Sequence, residues 1–130
     1  MKIIWTNGCF DILHRGHIEL FKYARSLGEY LVVGVDTDER AKAAKGDTRP
    51  FNNIEDRLAM LRSIKYIDEV RVFDTDCELD TQVLLSDAEI MVVGTDYKNK
   101  NVIGSRHVKD IIFFDKIEGY STTKILAGLQ

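Results

Sequence analysis

Only two cysteines, Cys9 and Cys77, occur among the 130 residues, with no Cys-x-x-Cys pair and no Cys/His cluster at zinc spacing, so neither a disulfide framework nor a structural zinc is indicated. There is one proline, and no Pro-, Gly- or Ser-rich linker, low-complexity tract or internal repeat divides the chain. Residues 1–130 therefore read as one domain, long enough to bury roughly two-thirds of its unfolded surface. No apolar run approaches bilayer length, and the chain opens on strand-like sequence with no signal-peptide pattern, so a cytoplasmic protein without a membrane partner is expected. Charge of one sign is also lacking: 18 Lys and Arg are interspersed among 21 Asp and Glu, for a net charge of −3. That balance carries no footprint for nucleic acid, and any cationic site must be local.

What is present is an alternation of apolar runs with helix-period stretches. Lys2 to Thr6 reads as a strand, and Ile18, Phe21, Ala24 and Leu27 mark the buried stripe of a helix that Gly28 ends. Glu29 to Val35 is nearly continuous in apolar character, as a central parallel strand should be. Thr37 to Asn53 is polar, carries Pro50 and shows no clear periodicity, so it reads as a mobile loop. Ile54, Leu58, Leu61 and Ile64 define a helix, followed by a strand near Glu69 to Phe73, a helix over Leu79 to Leu85, a strand over Ile90 to Val93 and a loop from Gly94 to Gly104. Val108 to Phe114 includes a last strand, and Ser121 can N-cap a closing helix. The order predicts an α/β protein, a single Rossmann-like doubly wound parallel sheet with helices on both faces. Ligands of such sheets bind outside the carboxyl ends of the strands, where strand order reverses.

The segment Thr6-Asn7-Gly8-Cys9-Phe10-Asp11-Ile12-Leu13-His14-Arg15-Gly16-His17 falls at the first of those carboxyl ends, between strand and helix. Two imidazoles three residues apart share one face of a first helical turn, beside backbone N–H groups that the helix leaves unpaired and at its positive dipole end. Such a corner suits polyphosphate. Alone, His-x-Gly-His is only moderately specific, and two surface or hydrogen-bonded histidines would explain it as well.

The whole string resembles the signature of the nucleotidyltransferase superfamily that includes the cytidylyltransferases, pantetheine-phosphate adenylyltransferase and, more distantly, class I aminoacyl-tRNA synthetases. It is most similar to the adenylyltransferase domain of bacterial ADP-heptose synthesis. Three more blocks follow in family order: Lys45-Gly46-Asp47-Thr48-Arg49-Pro50; Gly94-Thr95-Asp96-Tyr97-Lys98 with Ile103-Gly104-Ser105 beyond it; and Glu118-Gly119-Tyr120-Ser121-Thr122-Thr123-Lys124-Ile125, which resembles the helix-opening Ser-Thr-Thr motif of the heptose and glycerol-phosphate enzymes. The resemblance implies attack of a phosphate oxygen on the α-phosphorus of a nucleoside triphosphate, with loss of pyrophosphate.

Both reactants are anions, so the enzyme must neutralise and align them. His14, His17 and Lys45 are expected to be catalytic through hydrogen bonds and charge, without a covalent nucleophile. Thr6, Asn7, Gly8, Cys9, Phe10 and Gly16 of the first block, with Asp96 and the Ser121, Thr122 and Thr123 helix start, are expected to bind nucleotide. A side chain at position 8 would block close approach of the backbone to phosphate. Asp11, Arg49, Arg57 and Lys65 are assigned to substrate binding. Asp11 serves either through Mg²⁺ or by orienting the loop, and Lys45 and Arg49 suit the acceptor phosphate or the triphosphate. Arg57 and Lys65 stand where cytidylyltransferases and glycerol-phosphate enzymes carry basic residues, although a solvated helix face would explain both. The cofactor expected is Mg²⁺ carried by the triphosphate, with no metal site of the chain's own, and a homodimer is the expected assembly.

Nucleotide and acceptor are less sharply marked. The first two blocks and Asp96-Tyr97-Lys98 favour ATP and a sugar 1-phosphate of the heptose type. Tyr30-Leu31-Val32-Val33, Ile67-Asp68-Glu69-Val70 and the Ser121 block resemble glycerol-3-phosphate cytidylyltransferase equally, so CTP stays open. Cys9 replaces a threonine of the cytidylyltransferase signature and Lys116 an arginine, which favours ATP. A non-catalytic nucleotide-binding module also stays open, and pyrophosphate release discriminates it from an enzyme.

Overall fold

A computed structural model describes residues 1–98 and 100–115. Five strands, β1 (Ile3–Gly8), β2 (Tyr30–Asp36), β3 (Glu69–Phe73), β4 (Ile90–Gly94) and β5 (Asp110–Phe114), form one sheet of order β3-β2-β1-β4-β5. Every pairing is parallel. The chain works outward from β1 through β2 to β3, then returns to the other side of β1, so strand order reverses between β1 and β4. The cleft expected at that reversal is flanked by the connections leaving these two strands.

Alternation along β1 sends Ile4 to one face and Trp5 to the other, and both are fully buried. On the Ile4 face, α1 (Arg15–Ser26) and α3 (Ile54–Arg62) bring Phe21, Ala24 and Leu61 onto Leu31, Val33, Val35 and Val92. On the Trp5 face, α4 (Asp76–Ser86) brings Leu79 and Val83 onto Val32, Phe73 and Met91. Helices thus cover both faces, as the near-continuous apolar runs of the inner strands require. The indole also dictates its neighbour: a Cβ on Gly34 would lie 2.5 Å from Trp5 Cζ2, so β2 carries glycine where it passes the ring.

Two local expectations are corrected. Thr37 to Asn53 is not a loop throughout, because Asp38–Lys45 forms helix α2, N-capped by the Thr37 hydroxyl on Arg40 N. Its only buried residue is Ala41, so it has no apolar stripe for periodicity to detect. α1 ends at a right-handed Leu27 rather than at a left-handed Gly28. Gly28 is needed for close packing, since a Cβ there would meet Lys2 O at 2.5 Å. The helix expected from Ser121 lies outside the described residues.

Candidate active site

The β1–α1 connection is built around two imidazoles that close their own helix start. His14 is the N-cap residue of α1, with extended backbone, and its Nδ1 accepts the N–H of Gly16 at 3.0 Å. His17, at the third helical position, returns the bond, its Nδ1 accepting the N–H of His14 at 3.2 Å. This is a capping box in which both reciprocal acceptors are ring nitrogens. The rings stack at 3.9 Å between centroids. The expectation of unpaired backbone N–H groups is thereby corrected. Gly16 N is taken by His14, and His17 N and Ile18 N both reach His14 O.

A nitrogen that accepts a hydrogen bond carries no proton, so each neutral ring is held as the tautomer protonated on Nε2. Charging favours neither ring. Burial, then the neighbouring His14 and the charge of Lys45, lowers His17 to about 3, and burial lowers His14 as well. Phe10 supplies part of that burial, standing edge-on to His17 at 5.5 Å. Gly8 leaves room for this ring, because a Cβ there would come within 3.1 Å of Phe10 Cζ. A side chain at position 8 would therefore press on the Phe10 ring.

The other first-block residues divide between framework and surface. Thr6 Oγ1 donates to Val92 O at 2.9 Å, tying β1 to β4 at the reversal point, and Asn7 Oδ1 accepts from Trp5 Nε1 at 2.9 Å. Cys9 is buried, and burial raises its thiol despite the opposing charges of Lys45 and Arg57. A protonated, covered thiol is no nucleophile. Asp96 lies in the short 3-10 turn Thr95–Tyr97 after β4, its carboxylate folded back towards Gly94, where a Cβ would meet Oδ1 at 2.5 Å.

The second block reaches the site through α2 and the segment after it. Lys45 is the exposed last residue of α2, and its charge acts on His17, Cys9 and Asp36. Beyond it, Asp11 gathers the chain. The Asp11 carboxylate accepts Asn52 N on Oδ1 at 2.8 Å, and Phe51 N and Arg49 Nε on Oδ2 at 2.8 and 2.9 Å. Burial opposes its charge, yet those three donors leave it below the ordinary carboxylate value. Through these bonds Asp11 orients the segment from Arg49 to Asn52, which is the loop-orienting role expected of it as one of two alternatives. Among the described residues, no group of three or more His, Cys, Asp or Glu side chains is arranged to hold a metal. Arg49 keeps one donor in reserve: its Nη2 is buried and has no hydrogen-bond partner.

Arg57 and Lys65 are placed differently from the expectation. The Arg57 side chain is 0% exposed, and its guanidinium bonds Asn52 O, Cys9 O, Asp36 O and Asp38 Oδ1. Substrate contact is replaced by a framework role, because these donors are committed to the protein's own oxygens. Lys65 precedes β3, at the amino ends of the strands, with its ammonium over the Tyr66 ring at 5.2 Å. It sits at the opposite end of the sheet from the imidazoles. Ser121, Thr122 and Thr123 lie outside the described residues. Reading the sequence missed Asp36 and Asp38. The available signal was an acidic residue at the carboxyl end of β2 and the Thr-Asp-Glu opening of a helix.

The family model described as cytidylyltransferase-like matches residues 5–128. The chain is 43% identical over 129 residues to bifunctional protein HldE of Campylobacter concisus (strain 13826), covering 99% of this chain and 27% of that protein. Against bifunctional protein HldE of Helicobacter pylori (strain P12) the identity is 44%, with coverage of 99% and 28%. The chain thus spans little more than a quarter of the length of these relatives. Among solved structures, a lipopolysaccharide core biosynthesis protein from Thermoplasma volcanium GSS1 superposes with TM-score 0.75 at 27% identity, over 91% of this chain and 99% of that one. Pantothenate synthetase from Thermus thermophilus shares the fold, with TM-score 0.63 at 13% identity over 90% of this chain and 56% of that one.

Proposed function

The chain belongs to the cytidylyltransferase-like family, and on that premise we propose that it transfers AMP from ATP to a sugar 1-phosphate of the heptose type, releasing pyrophosphate, in the making of a cell-envelope precursor. One observation carries the reading: two neutral imidazoles, each with Nδ1 engaged by its own helix, hold their protons on Nε2 beside the charge of Lys45. Such rings are hydrogen-bond donors fixed before substrate arrives. Preorganised donors of this kind stabilise charge that develops in a transition state, at no reorganisation cost during the reaction.

In this mechanism the acceptor phosphate oxygen attacks the α-phosphorus in line with the departing pyrophosphate. His14 and His17 donate to phosphate oxygens, and Lys45 neutralises charge from the end of α2. Arg49 Nη2 is the donor kept for an incoming phosphate oxygen. Mg²⁺ enters with the triphosphate as part of the substrate, in keeping with the lack of a metal-holding group of His, Cys, Asp or Glu among the described residues. Phe10 keeps water from one side of the His17 ring. The heptose type is supported by the first two sequence blocks and by the similarity to HldE over nearly the whole chain.

Titration calorimetry with ATP and CTP, followed by a pyrophosphate-release panel over sugar 1-phosphates and glycerol 3-phosphate, tests the assignment. Adenylylation of a heptose 1-phosphate is expected. A missing hydrogen bond to a buried base edge costs about 1 to 3 kcal/mol, so at least tenfold discrimination between the bases should be measurable. Tighter CTP binding with CDP-glycerol formation would replace the donor and acceptor assigned here, while binding without pyrophosphate release from any pair would make the chain a nucleotide-binding module.

A further inference from the structure

Phe10 has φ +48, a left-handed backbone that residues other than glycine adopt only when their surroundings over-determine it. On its amino side the Cys9 carbonyl, part of the peptide plane that this φ orients, accepts Arg57 Nη1 at 2.9 Å. The same Nη1 donates to Asp36 O at 2.8 Å, and Nε donates to Asn52 O at 3.1 Å. These three acceptors are backbone carbonyls. The carboxylate bonded to this guanidinium is that of Asp38, whose Oδ1 lies 2.6 Å from Nη2. Asp38 is 37% exposed, whereas the arginine it holds is completely covered.

Three carbonyls hold Nε and Nη1, the Asp38 carboxylate holds Nη2, and the half-buried Asp36 carboxylate faces the same charge without bonding to it. Removing the Asp38 charge therefore leaves a covered cation short of its one bonded counter-charge and loosens its seat. Turning the guanidinium would release the Cys9 carbonyl and, with it, the peptide plane that keeps Phe10 left-handed. The Phe10 ring stands edge-on to His17 and packs against Phe21 at 5.1 Å. A change at the solvent-facing Asp38 would therefore arrive at the imidazole after three contacts.

We infer that Asp38 is a positioning residue for His17, acting through Arg57, the Cys9 carbonyl and the ring of Phe10. It touches no substrate. α2 makes this role separable from general anchoring of the helix, because a second tether exists: Arg40 Nη1 donates to Asp74 O at 3.0 Å and Nη2 pairs with Asp76 at 2.8 Å. Arg40→Ala cuts that tether and leaves Arg57 untouched.

The test combines turnover with NMR of ¹⁵N-labelled imidazoles. In Asp38→Asn, kcat for pyrophosphate release should fall by about 10²-fold, the scale expected when a reacting group is misplaced by an ångström, with KM values little changed. His17, which His14 and Lys45 also face, should remain neutral from pH 5 to 8 in the parent protein and titrate within that range in Asp38→Asn, as the loosened Phe10 admits water. Arg40→Ala should reproduce neither effect. Asp38→Glu, which displaces the charge by one methylene, should show both effects in weaker form, and it carries the same readouts if Asp38→Asn melts below the assay temperature. Unchanged His17 titration in both Asp38 variants, or equal effects in Arg40→Ala, would overturn the inference. The kinetic arm rests on the proposed nucleotidyl transfer and the NMR arm does not, so a His17 response without measurable turnover would retire that activity and leave the positioning role standing.

Discussion

His17 accepts the backbone N–H of His14 on Nδ1 at 3.2 Å, and this bond decides which of its nitrogens carries the proton. The ring proposed as a donor to phosphate is the same ring that closes the start of α1. Under that proposal catalysis and capping share one side chain, and its removal should be visible in two separate measurements.

Replacing His17 with alanine is expected to lower turnover by about 10² to 10³-fold, the usual loss for one preorganised donor. The same change removes half of the capping box, worth about 0.5 to 2 kcal/mol of stability. A steady-state assay beside a urea melt separates the two. Near-normal turnover in a folded variant would dismiss the assignment of His17 as catalytic.

Acid should weaken the fold through the same ring. His17 titrates near 3 when folded and at an ordinary 6.5 when unfolded, so between these values the unfolded chain binds more protons. Stability from this residue is complete above pH 6.5 and declines as the pH falls towards 3. Asp36, raised by burial, acts with the opposite sign just above its ordinary carboxylate range. The diagnostic is thus the difference between the parent and His17→Asn in melts from pH 7 to 4. That difference should shrink steadily as the pH falls, and a constant difference would mean that His17 is not buried neutral. Turnover should likewise show no acid limb near pH 6.5 arising from this residue.

How much of this could be read in the sequence depended on range. The strands, α1 and α3 were visible because their apolar spacing is local, and His14 and His17 because a separation of three residues fits one helical turn. α2 was missed because it buries only Ala41. The roles of Asp11 and Arg57 were hidden for another reason. Asp11 meets partners 38 to 41 residues away, and Arg57 meets Cys9 O across 48, several of them backbone atoms that leave no residue-type signature. Helix spacing could place Arg57 on α3 but could not say that its guanidinium turned inward. Lys65 is the opposite case. Its position ahead of β3 already put it at the amino end of a parallel strand, and resemblance outweighed that topological signal.

Asp11→Ala should release the segment that follows α2. Breaking a buried ion pair typically costs about 3 to 5 kcal/mol, and here Phe51 N and Asn52 N lose their acceptor with it. In the parent protein, limited proteolysis is expected within the exposed stretch Gly46 to Thr48 and to be slowed by nucleotide with sugar 1-phosphate. In Asp11→Ala, cleavage should extend to residues 49–52 and resist protection by ligands. An unchanged digest would refute the bracing role.

Divalent metal should be required by the nucleotide. Activity is expected to vanish on exhaustive chelation and to return with Mg²⁺ in proportion to the Mg-triphosphate complex formed, as a metal delivered on the substrate implies. The melting temperature of the ligand-free protein should not move with Mg²⁺. A clear rise would reveal a site on the chain itself.

The three donors that converge on Asp11 also bear on how the protein meets its substrates. A binding site that must first assemble loses apparent affinity in proportion to the fraction of time it spends assembled. Here the turn after β1 and the chain before α3 are cross-linked to one another by these bonds, so this part of the cleft needs little assembly when nucleotide arrives. Encounter between enzyme and nucleotide should then be governed by diffusion and charge, with association rates that fall as salt is added, and ordering left to the exposed stretch Gly46 to Thr48.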